Sequence, residues 1–157
     1  SILVMTKKIA KQEALSCINE VINNGKAAEK FEQMVYALGG PNNFLSNYSS
    51  QLTSSPYVNP INAERAGSIQ SIQTRKLGLM LIELGGGRKQ INSKIDFAVG
   101  FENVISTGSV VETSTPLLTL HTSSKDHYDR VKKQIQECFE ISANTSKKLD
   151  TIYQTIN

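Results

Sequence analysis

Leu84-Gly85-Gly86-Gly87-Arg88-Lys89-Gln90 is the stretch of this 157-residue chain whose residue types most invite chemistry. Consecutive glycines leave backbone N–H groups bare, and where such a run opens a helix, those groups and the helix dipole hold phosphate. Here the glycines follow an apolar helical pattern, and their spacing matches neither GxGxxG nor a P-loop. A helix C-terminus is a negative pole. The expected role is therefore a packed turn, with Arg88 satisfying orphan carbonyls, and an anion site is the competing reading.

The other chemistry-bearing residues are scattered. His121 closes an expected strand and His127 opens an expected helix, with Asp126 the one further metal-ligand type close by. Zinc wants four ligands with N, S or O donors, so surface or strand-end histidines are expected rather than a metal site. Cys17 and Cys138 have no CxxC and no histidine at ligand spacing, and both are expected as buried thiols on apolar helix faces. Glu32, Glu64, Glu83, Asp96, Glu102 and Glu112 fall singly on different elements, which suits solvated or capping roles and gives no pair for acid–base work. No GxSxG occurs, and neither cysteine has a base nearby. Catalytic, cofactor-binding and metal residues are all expected to be absent.

The elements that hold these residues follow from periodicity. Ile2, Met5 and Ile9, then Leu15, Ile18 and Ile22, recur every three or four residues, and Ala27, Phe31, Met34, Val35 and Leu38 share the face of a third helix over 26–38. Gly39-Gly40-Pro41 stops it. Residues 42–60 are rich in Asn, Ser and Pro and read as a loop, which places a boundary between a helical segment, 1–41, and a domain over 42–157. Strands are expected over 57–63 and 67–72. Thr74 is expected to cap a helix through Leu84 that is apolar nearly all round and therefore buried on most sides. Gly78 within it suggests a second backbone packed close. From 97 to 121, β-branched and leucine pairs separated by turns at Thr107-Gly108 and 113–116 predict a small antiparallel meander. Ser123 and Asp126 form an expected capping box for a last helix burying Tyr128, Val131, Ile135, Cys138 and Phe139. Ile152, Tyr153 and Ile156 suggest a final edge strand.

Composition narrows the class. The chain is 39% hydrophobic and 20% charged, too apolar for a disordered protein, and its length suits one main core. The net charge of +3 is spread over separated basic pairs, a solvated surface before a nucleic-acid stripe. No apolar run approaches the roughly 18 residues that span a bilayer, and no cleavage pattern follows Ile2 to Met5; a cytoplasmic protein is expected. The chain opens on Ser1 and runs directly into Ile2-Leu3-Val4-Met5, as though cut from something longer.

Six segments in order carry a resemblance: Asn24-Gly25-Lys26-Ala27-Ala28-Glu29-Lys30-Phe31, Gly39-Gly40-Pro41, Thr74-Arg75-Lys76-Leu77-Gly78, Gly85-Gly86-Gly87-Arg88, Lys94-Ile95-Asp96-Phe97-Ala98-Val99-Gly100 and Pro116-Leu117-Leu118-Thr119-Leu120-His121. Together they resemble the C-terminal part of the pyrimidine-nucleoside phosphorylases, the thymidine phosphorylase branch most closely. The resemblance implies an α+β fold: an N-terminal helical segment left from a large α/β domain, then an α/β-hammerhead-like domain related to the barrel-sandwich fold. It implies phosphorolysis of a pyrimidine deoxynucleoside to the free base and 2-deoxyribose 1-phosphate by the whole enzyme, without cofactor. The partners it implies are the remainder of the phosphorylase chain and, in the full enzyme, a second copy in a homodimer, with no nucleic acid and no membrane.

The family's Lys-His-Ser phosphate motif is not found in this sequence. Val4-Met5-Thr6-Lys7-Lys8-Ile9-Ala10 echoes the family's base-site helix, but Leu3 stands where that helix carries its first serine, so Lys7 and Lys8 are not assigned to catalysis. Gln73 replaces a frequent acidic residue and Ser114 a frequent turn glycine, which touches local geometry only. The expected function is that of a structural fragment of a phosphorylase, inactive alone. The alternative is a biotinyl- or lipoyl-like carrier or interaction module, although neither expected hairpin turn offers a lysine.

Overall fold

The computed structural model describes residues 2–144, and they divide into two compact units, one ending at Leu52 and the other starting at Thr53. The expected strand at Ile152 to Ile156 lies outside the described residues.

The first unit is four helices: α1 (Ile2–Lys7), α2 (Lys11–Asn23), α3 (Lys26–Ala37) and α4 (Phe44–Gln51). The Gly39 N–H donates to the Tyr36 carbonyl and the Gly40 N–H to that of Val35, the paired bonds that close a helix ahead of Pro41. Helix α4 corrects the loop expected over 42–60. Its Asn and Ser side chains are absorbed locally, Asn47 Nδ2 donating to the Asn43 carbonyl and Ser50 Oγ to that of Asn47. Tertiary contacts supply what its composition lacks. The Glu32 carboxylate on α3 accepts the Leu45 N–H at 3.2 Å, and the rings of Phe31 and Phe44 meet at 6.3 Å. Among the described residues of this unit, Ala14 alone is buried; Ile18, Ile22, Phe31 and Met34 of the apolar stripes are exposed. Cys17, expected inside, is exposed too, because no described residue of this unit covers that face of α2.

The second unit is α+β, with two antiparallel three-stranded sheets. Strands β1 (Tyr57–Asn62), β5 (Pro116–Thr122) and β3 (Gly100–Glu102) form one in the order β1-β5-β3; β4 (Val110–Val111), β2 (Gly67–Ile72) and β6 (Phe139–Ser142) form the other in the order β4-β2-β6. This corrects the meander. The consecutive strands β3, β4 and β5 do not pair in turn: β5 pairs β1 from Tyr57↔Thr122 to Asn62↔Pro116, and β4 pairs β2 at Gly67↔Val111. Val104 and Ile105, expected in a strand, are connecting chain, held by the Ile105 N–H to the Leu117 carbonyl at 2.8 Å. Apolar pairs mark a strand's buried face without naming its neighbour, so the pairing comes from the packing.

Helix α5 (Thr74–Leu81) passes into a π-helical turn at Ile82–Gly86, and α6 (Lys125–Gln136) leads into β6. Thr74 does not cap α5: Gln73 holds the cap position, without a side-chain bond. Nor is α5 buried on most sides. Leu77, Met80 and Leu84 are buried, but Leu79 is 51% exposed, and no atom stands within 4 Å of where a Gly78 Cβ would be, so no backbone packs there. At α6 the cap moves one residue. Ser124 Oγ accepts the His127 N–H at 3.2 Å, replacing the expected Ser123 and Asp126 pair. The face of α6 is buried as its spacing requires, with Tyr128, Val131 and Ile135 inside and the Tyr128 hydroxyl donating to the Pro60 carbonyl at 2.7 Å. Its core is continuous: Ile61, Ile69, Leu117, Leu118, Leu120 and Ile135 are all fully enclosed.

Candidate functional site

The glycine run and the Asp96-Phe97-Ala98-Val99-Gly100 segment prove to be one structural unit. Gly85 has φ +101°, a left-handed conformation that non-glycine residues reach only at a cost. Its carbonyl accepts the Asp96 N–H at 2.9 Å. Asp96 then turns the chain, its carboxylate accepting the Ala98 N–H at 3.0 Å and its carbonyl the Val99 N–H at 3.2 Å. Gly86 lets the strand lead approach the helix: a Cβ there would stand 3.0 Å from the Leu81 side chain and 3.2 Å from Val99 Cγ1. Leu84 and Val99 are buried on either side of the junction. The turn therefore packs the end of α5 against the chain entering β3. It lies at a helix C-terminus, where a phosphate would meet the negative end of the dipole. Arg88 does not perform the carbonyl-capping expected of it; the Asp96 N–H takes the Gly85 carbonyl, and Arg88 is exposed.

The two histidines are held by different neighbours. His121 Nε2 lies 2.9 Å from Glu102 Oε2, diagonally across the β3–β5 pairing, and His127 Nδ1 lies 2.9 Å from Ser123 Oγ at the start of α6. Asp126 joins neither. Among the described residues, no group of three His, Cys, Asp or Glu side chains could hold a metal ion. Cys138 is buried with its Sγ 3.3 Å from the Gln134 carbonyl, and burial pushes its thiol pKa up, away from the reactive thiolate. Lys7 ends α1, and Lys8 turns the chain with φ +54°; both are exposed.

The carboxylates take distinct roles. Glu32 caps α4, Asp96 holds the glycine junction and Glu102 pairs His121. Glu112 is exposed, and Glu83 lines a small groove between α5 and α6. Glu64 lines a cleft of about 650 Å³ together with Glu137 and Glu140, two carboxylates that the sequence did not single out. The cleft joins the β1–β2 turn to the α6–β6 turn, so only the fold brings these three together; no local spacing announced it. Also missed was the Lys125–Asp129 ion pair one turn apart on α6, which its four-residue spacing could have indicated.

The described residues thus supply a packed junction, two locally engaged histidines and an open acidic cleft. Among them, Ser123 beside His127 is the one hydroxyl–imidazole contact, and no helix among them is long and apolar enough to cross a membrane. Comparison with known families finds a correspondence. Residues 68–142, from within β2 to the end of β6 and including the glycine junction, match the pyrimidine nucleoside phosphorylase C-terminal domain. Residues 68–142 of the chain are therefore a pyrimidine nucleoside phosphorylase C-terminal domain.

Proposed function

We propose that the chain is the structural C-terminal part of a thymidine phosphorylase, which converts thymidine and phosphate to thymine and 2-deoxyribose 1-phosphate, and that it is inactive alone. The observation that carries this reading is the family match over 68–142, set beside a sequence without the Lys-His-Ser phosphate motif. A phosphorolysis site needs cationic and hydroxyl donors around phosphate and a polarising group at the base. In the described part, the histidines and the carboxylates of Glu32, Asp96 and Glu102 are committed to capping and pairing.

The helical segment, 1–41 by its sequence and continuous with α4 in its compact unit, is the edge of the large α/β domain. Its exposed stripes on α2 and α3 are the faces that the remainder of the phosphorylase covers, which explains why helices with regular apolar spacing bury so little. The domain from 42 onward is the hammerhead-like, barrel-sandwich-related unit, in accord with its two small sheets and the helix α6 that packs on them. The full enzyme is a cytoplasmic homodimer whose main contacts lie in its other helical domain. No observation favours the carrier reading: the turns at Thr107-Gly108 and Thr113-Ser114 present no lysine.

The test is an assay of the purified chain with thymidine and phosphate, read by thymine release. No thymine is expected. Turnover that persists through repurification and follows the chain in a sizing column contradicts the proposal.

A further inference from the structure

Asn24-Gly25 is the one Asn-Gly pair in the sequence, and it forms the entire link between α2 and α3. Asn24 is exposed at the end of α2, its N–H donating to the Glu20 carbonyl at 2.9 Å. Gly25 turns the chain at φ +83°, a conformation that glycine adopts without steric cost. No atom lies within 4 Å of where a Gly25 Cβ would stand, so the backbone here is bare. The Asn24 Oδ1 accepts the Lys26 N–H at 3.1 Å, which folds the carboxamide back along the Gly25 peptide.

A carboxamide beside a glycine nitrogen carries a self-contained reaction, because the five-membered ring it can close needs no further group. The Gly25 nitrogen gives its proton to solvent and attacks Asn24 Cγ; the Cγ–Nδ2 bond breaks, ammonia leaves and a succinimide remains. Water then opens the ring at either carbonyl, giving aspartate or an isoaspartyl link that routes the backbone through the side-chain carbon. The net change is one water taken up and one ammonia lost, without oxidation or reduction. The folded link restrains the first step, since the Gly25 N–H is held by the Ile22 carbonyl and its proton is withheld from solvent. At 3.3 Å that bond is longer than the usual range of about 2.7–3.2 Å. Ile22 is itself 60% exposed, and Ala14 is the one buried residue among the described residues of this unit. Opening the link therefore uncovers no core.

We propose that Asn24 is a self-modification site: local opening of the α2–α3 link lets the Gly25 nitrogen close on the Asn24 carboxamide, and the isoaspartyl product uncouples the two helices. The extra backbone atom of that product displaces the Gly25 N–H from the Ile22 carbonyl and the Gly25 carbonyl from the Glu29 N–H, the bonds that end α2 and begin α3. The aspartyl product keeps the backbone. Its carboxylate still accepts the Lys26 N–H at the start of α3, where the helix dipole favours negative charge. The reactants are the chain and water alone, so the site stands whether or not the substrate of the whole enzyme is thymidine.

Incubation of the full chain at mildly alkaline pH, followed by peptide mass mapping that separates aspartate from isoaspartate, tests it. Asn24 is expected to convert ahead of every other asparagine, including the exposed Asn92 before Ser93, and to give both products. Its rate in native buffer is expected to lie roughly tenfold below that in unfolding urea, the mark of local opening. Gly25→Ala sets a methyl beside the attacking nitrogen and leaves Asn24 intact over the interval in which the parent chain converts, in urea as in buffer. The purified isoaspartyl form loses helix signal in far-UV circular dichroism while its second unit keeps its urea midpoint, and Asn24→Asp retains that signal. An Asn24 that stays intact in buffer, or converts behind Asn92, overturns the proposal. So does conversion at equal rates in buffer and urea, conversion of the Gly25→Ala chain at the parent rate, aspartate without isoaspartate, or an isoaspartyl form of undiminished helicity.

Discussion

Up to Leu52 the apolar stripes of the helices face outward, with Ile18, Ile22, Phe31 and Met34 exposed and Ala14 alone buried among the described residues. From Thr53 onward, residues of the same kind close into one core, where Ile61, Ile69, Leu117, Leu118, Leu120 and Ile135 lose all contact with water. Full burial of such a side chain is worth about 1.5–3 kcal/mol, so nearly all the hydrophobic stabilisation of the described chain lies in its second unit. Isolated helices shorter than about 12–15 residues are marginal in water, and α1 to α4 span 6, 13, 12 and 8 residues. The contrast teaches that periodicity reports a face meant to be covered, while burial reports whether the cover is part of the same chain.

The sharpest way to break this comparison is to delete matched side chains on its two sides. Leu118→Ala, at a fully enclosed position of β5, is expected to cost about 2–5 kcal/mol, read as a lower urea midpoint. Ile18→Ala on α2 should cost less than about 1 kcal/mol, because its side chain is already partly solvated, at 40% exposure. Equal losses at the two positions would remove the distinction. A smaller effect belongs to the glycine junction. Gly85→Ala forces a Cβ into the left-handed region and should cost about 1–2 kcal/mol, with the loss seen in thermal unfolding of the second unit and none in the helicity of the first. Next is the cap of α6. Ser124→Ala should cost about 1 kcal/mol, and Ser123→Ala less, since Ser123 is exposed and bonds only the His127 ring; the reverse order would restore the capping box expected from the sequence.

The smallest perturbation leaves stability untouched. With a thiol reagent in native buffer, Cys17 on the first unit should label promptly and Cys138 only with unfolding. Burial raises the Cys138 thiol pKa in the folded chain, so the unfolded state releases that proton first as pH climbs. Stability contributed at this site is therefore complete at neutral pH and declines as pH rises past the ordinary thiol range. Equal labelling of the two cysteines would place them in like environments and blur the two regions.

The sequence makes local features legible and long-range ones not. The end of α3 at Gly39-Gly40-Pro41 and the buried face of α6 at Tyr128, Val131 and Ile135 are set by neighbours three to five residues apart, and both stand where spacing puts them. Helix α4 is different. Nothing in its Asn- and Ser-rich composition predicts a helix; Phe31 and Glu32 of α3 stabilise it through Phe44 and Leu45. The meander failed for the same reason, since the valines of β4 carry no mark of their partner β2. At the glycine junction the sequence yields the packed turn but not the atom that satisfies Gly85, because the Asp96 N–H arrives from across a loop. The acidic cleft was wholly hidden: Glu64 and the Glu137 and Glu140 pair meet only once the sheets have formed.

Native-state hydrogen exchange of the full chain tests the division most directly, because it reads the opening free energy of each amide separately. The expected result is slow exchange, limited by global unfolding, in β1, β2, β5 and α6, and fast exchange through local opening in α1 to α4. Protection in α2 and α3 equal to that of β5 would contradict the account, since it would show that the helical segment has stability of its own and needs no covering domain.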